Sequence, residues 1–250
     1  MAKKSRAQKK NYNQNKENIV RPSSFKNEGW HPLDQEIDGR RDQKYVKNIK
    51  PRSQGQENLL QSIKERSLTM AIGPAGTGKT YLAISSAVEA FENGEIERIV
   101  LSRPAMEAGE SLGYLPGDMQ DKMAPYLRPL YDSLGDRLGG KKVRQYLEDG
   151  TIEIAPIGFM RGRTLNNAFI VIDEAQNCTY GQLKMILSRL GWHSTMVITG
   201  DPDQSDLLEG ISGLAQIADK LENIETIGVC RLEQQDIVRH PLVAQMLNVL

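Results

Sequence analysis

The stretch Gly73-Pro74-Ala75-Gly76-Thr77-Gly78-Lys79-Thr80 has the spacing G-x-x-x-x-G-K-T, which suits the cradling of a polyphosphate. Its glycines let successive backbone N–H groups turn toward one point, and a following helix adds the positive end of its dipole. Lys79 would reach the β- and γ-phosphates, the Thr80 hydroxyl would ligate Mg²⁺, and Tyr81 completes the set of nucleotide-binding candidates. Further on, the apolar run Ala168-Phe169-Ile170-Val171-Ile172 ends in Asp173-Glu174. Phosphoryl transfer asks a protein for charge neutralisation and an in-line water. Asp173 is the candidate to hold Mg²⁺, through water or through a shell shared with Thr80. Glu174 is the candidate to orient and deprotonate the attacking water. Adjacent side chains diverge at a strand end, so the two acids can take different roles. ATP and Mg²⁺ are the expected cofactors.

Other candidates lie around these two motifs. Gln56, at the start of a helix upstream of the P-loop, could offer its amide to a purine edge, or could be a solvated residue of the helix cap. Arg103 stands at the end of an apolar strand, and such ends face the ligand crevice in open α/β sheets. Arg161 and Arg163 flank Gly162 in a loop, as phosphate contacts or as a solvated basic turn. Gln204 follows the strand 195–201. If that strand lies between the P-loop strand and the acidic strand, Gln204 can sense the γ-phosphate; otherwise it is a turn residue.

The elements that must position these residues are legible as short apolar runs alternating with helical periodicity. Strands are predicted at 67–72, 98–104, 151–156, 168–172, 195–201 and 224–229. Helices are predicted at about 53–63, after Lys79 up to Asn93-Gly94, at 119–123, 126–138 and 143–147, at 180–190 and 211–221, and beyond Pro241. The segment from Glu107 to Asp149 reads as a long polar insertion with Pro125 and Pro129 among its breakers. Alternating strands and helices predict an α/β fold with a mainly parallel sheet flanked by helices.

No run approaches the ~18 apolar residues of a membrane span, and no apolar signal core follows the start, so a cytoplasmic protein is expected. Cys178 and Cys230 match no paired metal or redox spacing and read as reduced thiols. His31, His193 and His240 are too scattered to suggest zinc. Net charge is zero, yet residues 1–26 carry eight Lys or Arg against Glu17 alone. That tail is nearly free of apolar residues and is expected to be disordered. It reads either as a basic arm for nucleic acid or as a solubilising tail. Residues 1–50 are thus taken as tail and linker, with Trp30 as a residue that would gain by docking, and 51–250 as the ATPase domain.

From about Gln54 onward the chain resembles the PhoH-like ATPases of bacteria and bacteriophages. The resemblance rests on IGPAGTGKTYLA (72–83), LSRPAMEAGESLGYLPGD (101–118), APYLRPLYD (124–132), IEIAPIGFMRGRTLNNAFIVIDEAQN (152–177), TGDPDQSDL (199–207) and DIVRHPLV (236–243). It implies a RecA-like P-loop domain with helicase-superfamily motifs, ATP hydrolysis, action on single-stranded RNA or DNA, and a ring-shaped, hexameric homo-oligomer. It also implies that Gln56 reads adenine and that Arg239 serves as an arginine finger. One P-loop and one lobe per chain agree with ATP at a subunit interface. The expected function is an ATP-driven motor or remodeller on single-stranded nucleic acid. The alternative is a nucleotide-controlled adaptor for a partner such as a ribonuclease, and a small-molecule kinase is more distant.

Overall fold

The computed structural model of the protein describes residues 49–104, 119–208 and 210–238, with the side chains of the helix that begins at 119 described from 126 onward. The basic tail, residues 27–48, the segment 105–118, Arg239 and the terminal helix expected beyond Pro241 lie outside the described residues.

Helices and strands alternate: α1 (Gln54–Glu65), β1 (Leu68–Ile72), α2 (Lys79–Glu92), β2 (Arg98–Ser102), α3 (Met119–Leu138), α4 (Gly140–Glu148), β3 (Ile152–Ile154), β4 (Ala168–Ile172), α5 (Tyr180–Leu187), β5 (Thr195–Gly200), α6 (Leu214–Leu221) and β6 (Ile227–Arg231). The strands form one six-stranded sheet in the order β3-β2-β4-β5-β1-β6, and every pair is parallel. This is the RecA-like α/β architecture expected from the sequence. β1 and β4 are buried along their whole length, which explains why they read as continuous apolar runs rather than alternating ones: helices cover both faces.

Successive side chains divide between two cores. Ala71, Ile99, Leu101, Phe169, Val171 and Val197 point toward α1, α2, α3 and α4. Met70, Ile72, Val100, Ile170, Ile172 and Ile198 point toward α5 and α6.

The sequence predicts separate helices at 119–123 and 126–138, whereas α3 runs unbroken through Pro125 and Pro129. A proline inside a helix costs about 3 kcal/mol or more. Four leucines of α3 (Leu127, Leu130, Leu134 and Leu138) are buried in the core beside α2. At about 1.5–3 kcal/mol for each fully buried leucine, that gain is large enough to offset the two breaks. Other bounds are shorter than predicted, among them β2, which stops at Ser102, β3, which covers only Ile152–Ile154, α5, which stops at Leu187, α6, which starts at Leu214, and β6, which starts at Ile227.

Because all strands are parallel, their C-terminal ends lie on one side of the sheet. Register fixes their heights: Ile72 pairs with Gly200, whereas Ile172 pairs with Ser102 and with Ile198, two residues earlier on β5. Residues 103 and 173 therefore emerge level with Thr199, and residues 73 and 201 two residues further along β5, all on the same side of the sheet. β5 lies between β4 and β1, the condition set for Gln204.

Candidate active site

β1 ends at Ile72, and the chain turns at once. Gly73 has φ +144°, and a Cβ there would run into the Leu232 carbonyl. The close approach is fixed by two backbone bonds, Gly73 N–H to the Gly200 carbonyl at 3.2 Å and Leu232 N–H to the Ile72 carbonyl at 2.7 Å. Gly78, at φ +82°, is the left-handed cap from which α2 begins. Lys79 is the first residue of α2 and is buried. Its Nζ donates to the Gly73 carbonyl at 2.5 Å and the Pro74 carbonyl at 2.7 Å. Thr77 Oγ1 donates to the same Pro74 carbonyl at 2.9 Å. Burial pushes the Lys79 ammonium below the usual lysine range, and the charges of Asp201, Glu174 and Asp173 oppose the shift.

The loop is braced from outside as well. Gln56 is buried, its Nε2 donating to the Thr77 carbonyl at 2.9 Å and its Oε1 accepting from Arg52 N–H at 2.8 Å. It is therefore no solvated cap residue. A purine edge would meet its second amide proton and second lone pair. After β6, the segment 233–238 crosses the start of α1. Asp236 accepts from Glu233 N–H at 2.8 Å, and this bond, with the Ser53 hydroxyl and Gly55 N–H, holds its carboxyl below the usual range. Val238 N–H then donates to the Gly76 carbonyl at 2.9 Å. The residue after this P-loop contact is Arg239, outside the described residues.

At the acidic strand, Asp173 is buried, and its Oδ1 accepts from Thr80 Oγ1 at 2.5 Å and Thr199 Oγ1 at 2.7 Å. Arg103 Nη1 lies 3.4 Å from Asp173 Oδ2, and Arg103 Nη2 lies 3.5 Å from Glu174 Oε1. Glu174 adopts the left-handed conformation, φ 54° and ψ 43°, which costs a non-glycine residue about 1–3 kcal/mol. Its Oε2 accepts from Gln176 Nε2 at 2.5 Å, and Gln176 Oε1 accepts from Asp201 N–H at 3.1 Å. One buried amide thus ties Glu174 to the end of β5. Asn177 pairs twice with Asp206, at 2.8 and 2.9 Å, and anchors the loop after β5.

Gln204 lies in that loop with its side chain exposed. Thr199, Gln176 and Asp201 were not singled out in the sequence. Their available signal was a polar residue at the C-terminal end of a buried strand or just beyond it. Of the remaining arginines, Arg163 is paired to Glu153 at 2.5 and 2.7 Å, a contact that raises its pKa further, while Arg161 is exposed.

Thr80 Oγ1 and Asp173 Oδ1 are hard oxygen donors meeting at one point, which fits Mg²⁺. Among the described residues no group of three or more His, Cys, Asp or Glu side chains gathers as a metal site. This is compatible with a cation that takes most of its ligands from phosphate and water. Among the described residues, no helix is long and apolar enough to cross a membrane.

Residues 48–250 match the family model described as PhoH-like protein. The chain is 53% identical over 203 residues to the PhoH-like protein of Bacillus subtilis (strain 168), covering 81% of this chain and 64% of that protein. It is 42% identical over 211 residues to Protein PhoH of Escherichia coli (strain K12), covering 83% of this chain and 60% of that protein. It thus spans about three fifths of the length of these curated relatives. Likeness to solved structures is looser. The large terminase of a thermophilic bacteriophage, in complex with ADP, aligns with a TM-score of 0.49 at 12% identity, over 78% of this chain and 49% of that one.

Proposed function

The chain belongs to the PhoH-like protein family, and on that footing we propose that it hydrolyses ATP to drive remodelling of, or movement along, single-stranded nucleic acid, RNA in the first instance. The observation that carries the reading is the 2.5 Å contact between Thr80 Oγ1 and Asp173 Oδ1. It joins the phosphate cradle to the acidic strand, so that bound phosphate and the candidate base share one site.

In this reading the backbone from Gly73 to Gly78, with Pro74, Ala75, Gly76 and Thr77 between, wraps the phosphates. Lys79 exchanges its two loop carbonyls for phosphate oxygens, and Tyr81 continues the helix behind them. Mg²⁺, held by Thr80 and Asp173, supplies neutralisation of the phosphate charge. Glu174 accepts the proton of the attacking water, an effect worth about 10²–10⁴ in rate. Gln176 keeps the Glu174 carboxylate aimed. Gln204 senses the γ-phosphate from the end of β5, and Gln56 reads the adenine.

Residues 51–250 act as one lobe, and the second lobe comes from a neighbouring copy in a hexameric ring. Arg239 reaches across that interface, a contribution worth about 10³–10⁵ in rate. Arg103, Arg161 and Arg163 face the strand, the basic tail serves as an arm, and the site of action is cytoplasmic.

Steady-state ATP hydrolysis, with and without single-stranded RNA or DNA and with Lys79→Ala as the blank, tests this. Marked stimulation by a strand supports the motor and ranks RNA against DNA. Turnover indifferent to every strand favours an adaptor whose nucleotide state sets affinity for a protein such as a ribonuclease.

A further inference from the structure

The base of the proposed reaction is not free in this structure. Both Glu174 carboxylate oxygens are engaged, Oε2 by the Gln176 amide at 2.5 Å and Oε1 by the Arg103 guanidinium at 3.5 Å. The two contacts differ in kind. Gln176 is a buried neutral donor locked to Asp201 N–H, so it aims the carboxylate without cancelling its charge. Arg103 is a cation with a partly exposed side chain. A guanidinium at this distance occupies the oxygen a water would use.

The direction from which Arg103 arrives is informative. It extends from the end of β2, and the sheet order places β4 and β5 between β2 and the P-loop strand β1. Three strand spacings, about 14 Å, separate the two strand ends. Arg103 touches Asp173 Oδ2, while Oδ1 faces Thr80 and Thr199. The guanidinium therefore reaches the acids from the β2 side of the sheet. A backbone phosphate arriving on the β2 side would compete with the acids for the guanidinium. A planar fork fits a phosphodiester at least as well as a carboxylate.

We propose that Arg103 is a positioning residue for the hydrolytic base, pairing with Glu174 and Asp173 in the strand-free protein and transferring to a backbone phosphate of a bound single strand. The transfer uncovers Glu174 Oε1, which then accepts the proton of the attacking water, and hydrolysis becomes coupled to strand binding. This rests on the hydrolysis reading above.

The test is steady-state turnover of the full chain with and without poly(U) RNA or oligo(dT), for wild type, Arg103→Ala, Arg103→Gln and Arg103→Lys. If the paired state outweighs the open one by about ten to one, Arg103→Ala raises strand-free kcat about tenfold, leaves the KM for ATP unchanged and removes further stimulation. Arg103→Gln does the same while keeping an N–H donor beside the buried Asp173, so a folding defect in the alanine variant leaves the test intact. Arg103→Lys keeps the charge and restores part of the stimulation. A fall in kcat in both arms overturns the proposal and assigns Arg103 to the γ-phosphate instead. Turnover that needs Glu174 yet is equally stimulated in wild type and Arg103→Ala overturns the latch alone. Wild-type turnover no higher than that of Lys79→Ala, with or without strand, overturns the hydrolysis reading and the latch with it.

Discussion

The two halves of the site are built differently. On the P-loop side the framework is backbone: Gly73 is bonded to Gly200, Gly76 to Val238 and Thr77 to Gln56, and Lys79 rests on the loop's own carbonyls. On the acidic side the framework is side chains in contacts that could exchange, with Glu174 held in a left-handed conformation between Gln176 and Arg103. In the proposed reading the first half re-pairs only the Lys79 ammonium when a nucleotide arrives, its backbone frame staying in place. In the same reading the second releases Arg103 before it acts. Such a division would let binding and hydrolysis be controlled separately, the one by the fold and the other by whatever moves a few polar groups.

The contrast can be broken most sharply at Glu174. Glu174→Gln removes the base and leaves the cradle, so kcat is expected to fall by about 10²–10⁴ while nucleotide affinity holds; equilibrium binding beside single-turnover hydrolysis reads both. A variant that still turns over would take Glu174 out of the base role.

Gly73→Ala attacks the other half. Its Cβ meets the Leu232 carbonyl at a backbone angle that strains any L residue, and a loss of more than about 2 kcal/mol in a denaturant titration is expected, together with nucleotide binding.

Gln56→Ala is milder. It strips the buried Thr77 carbonyl of its partner, for about 1–3 kcal/mol. If the amide also reads adenine, ATP affinity falls more than GTP affinity. Equal losses would make Gln56 a brace only.

The smallest effect is expected at Asp236. Its folded pKa is held below the ordinary aspartate value of 3.8. The stability it contributes is present above that value and is lost as pH falls through the lower folded one. Asp236→Asn should therefore lower the melting temperature at pH 7 and make no difference once the Asp236 carboxyl of the wild type is protonated in both the folded and the unfolded state.

The sequence made the P-loop legible because its chemistry lies within eight consecutive residues. The strands were legible because sheets covered on both faces need unbroken apolar runs. Asp173-Glu174 stood out for the same reason, as acids closing such a run. What stayed hidden depends on partners distant in the chain. Nothing near Arg103 announces Asp173, and nothing near Gly55 announces the Asp236 carboxylate that a Cβ would strike. Pro125 and Pro129 misled for a related reason: local propensity breaks the helix there, and packing against α2 keeps it whole. The start predicted for α6 erred in the same way. Gly213 precedes the helix and lies against the Tyr180 backbone, a close approach set by tertiary packing.

The sheet order has a consequence for the order of synthesis. Among the described residues the P-loop strand β1 is the first strand, yet its two neighbours, β5 and β6, are the last two. A ribosome working at ~5–20 residues per second exposes the glycine loop on the order of 10 s before the strands that hold it. The signature for nucleotide thus exists early as sequence and only late as a shape. In the proposed reading, a nascent chain would complete its ATP site only after segment 233–238, whose Val238 bonds Gly76, has emerged.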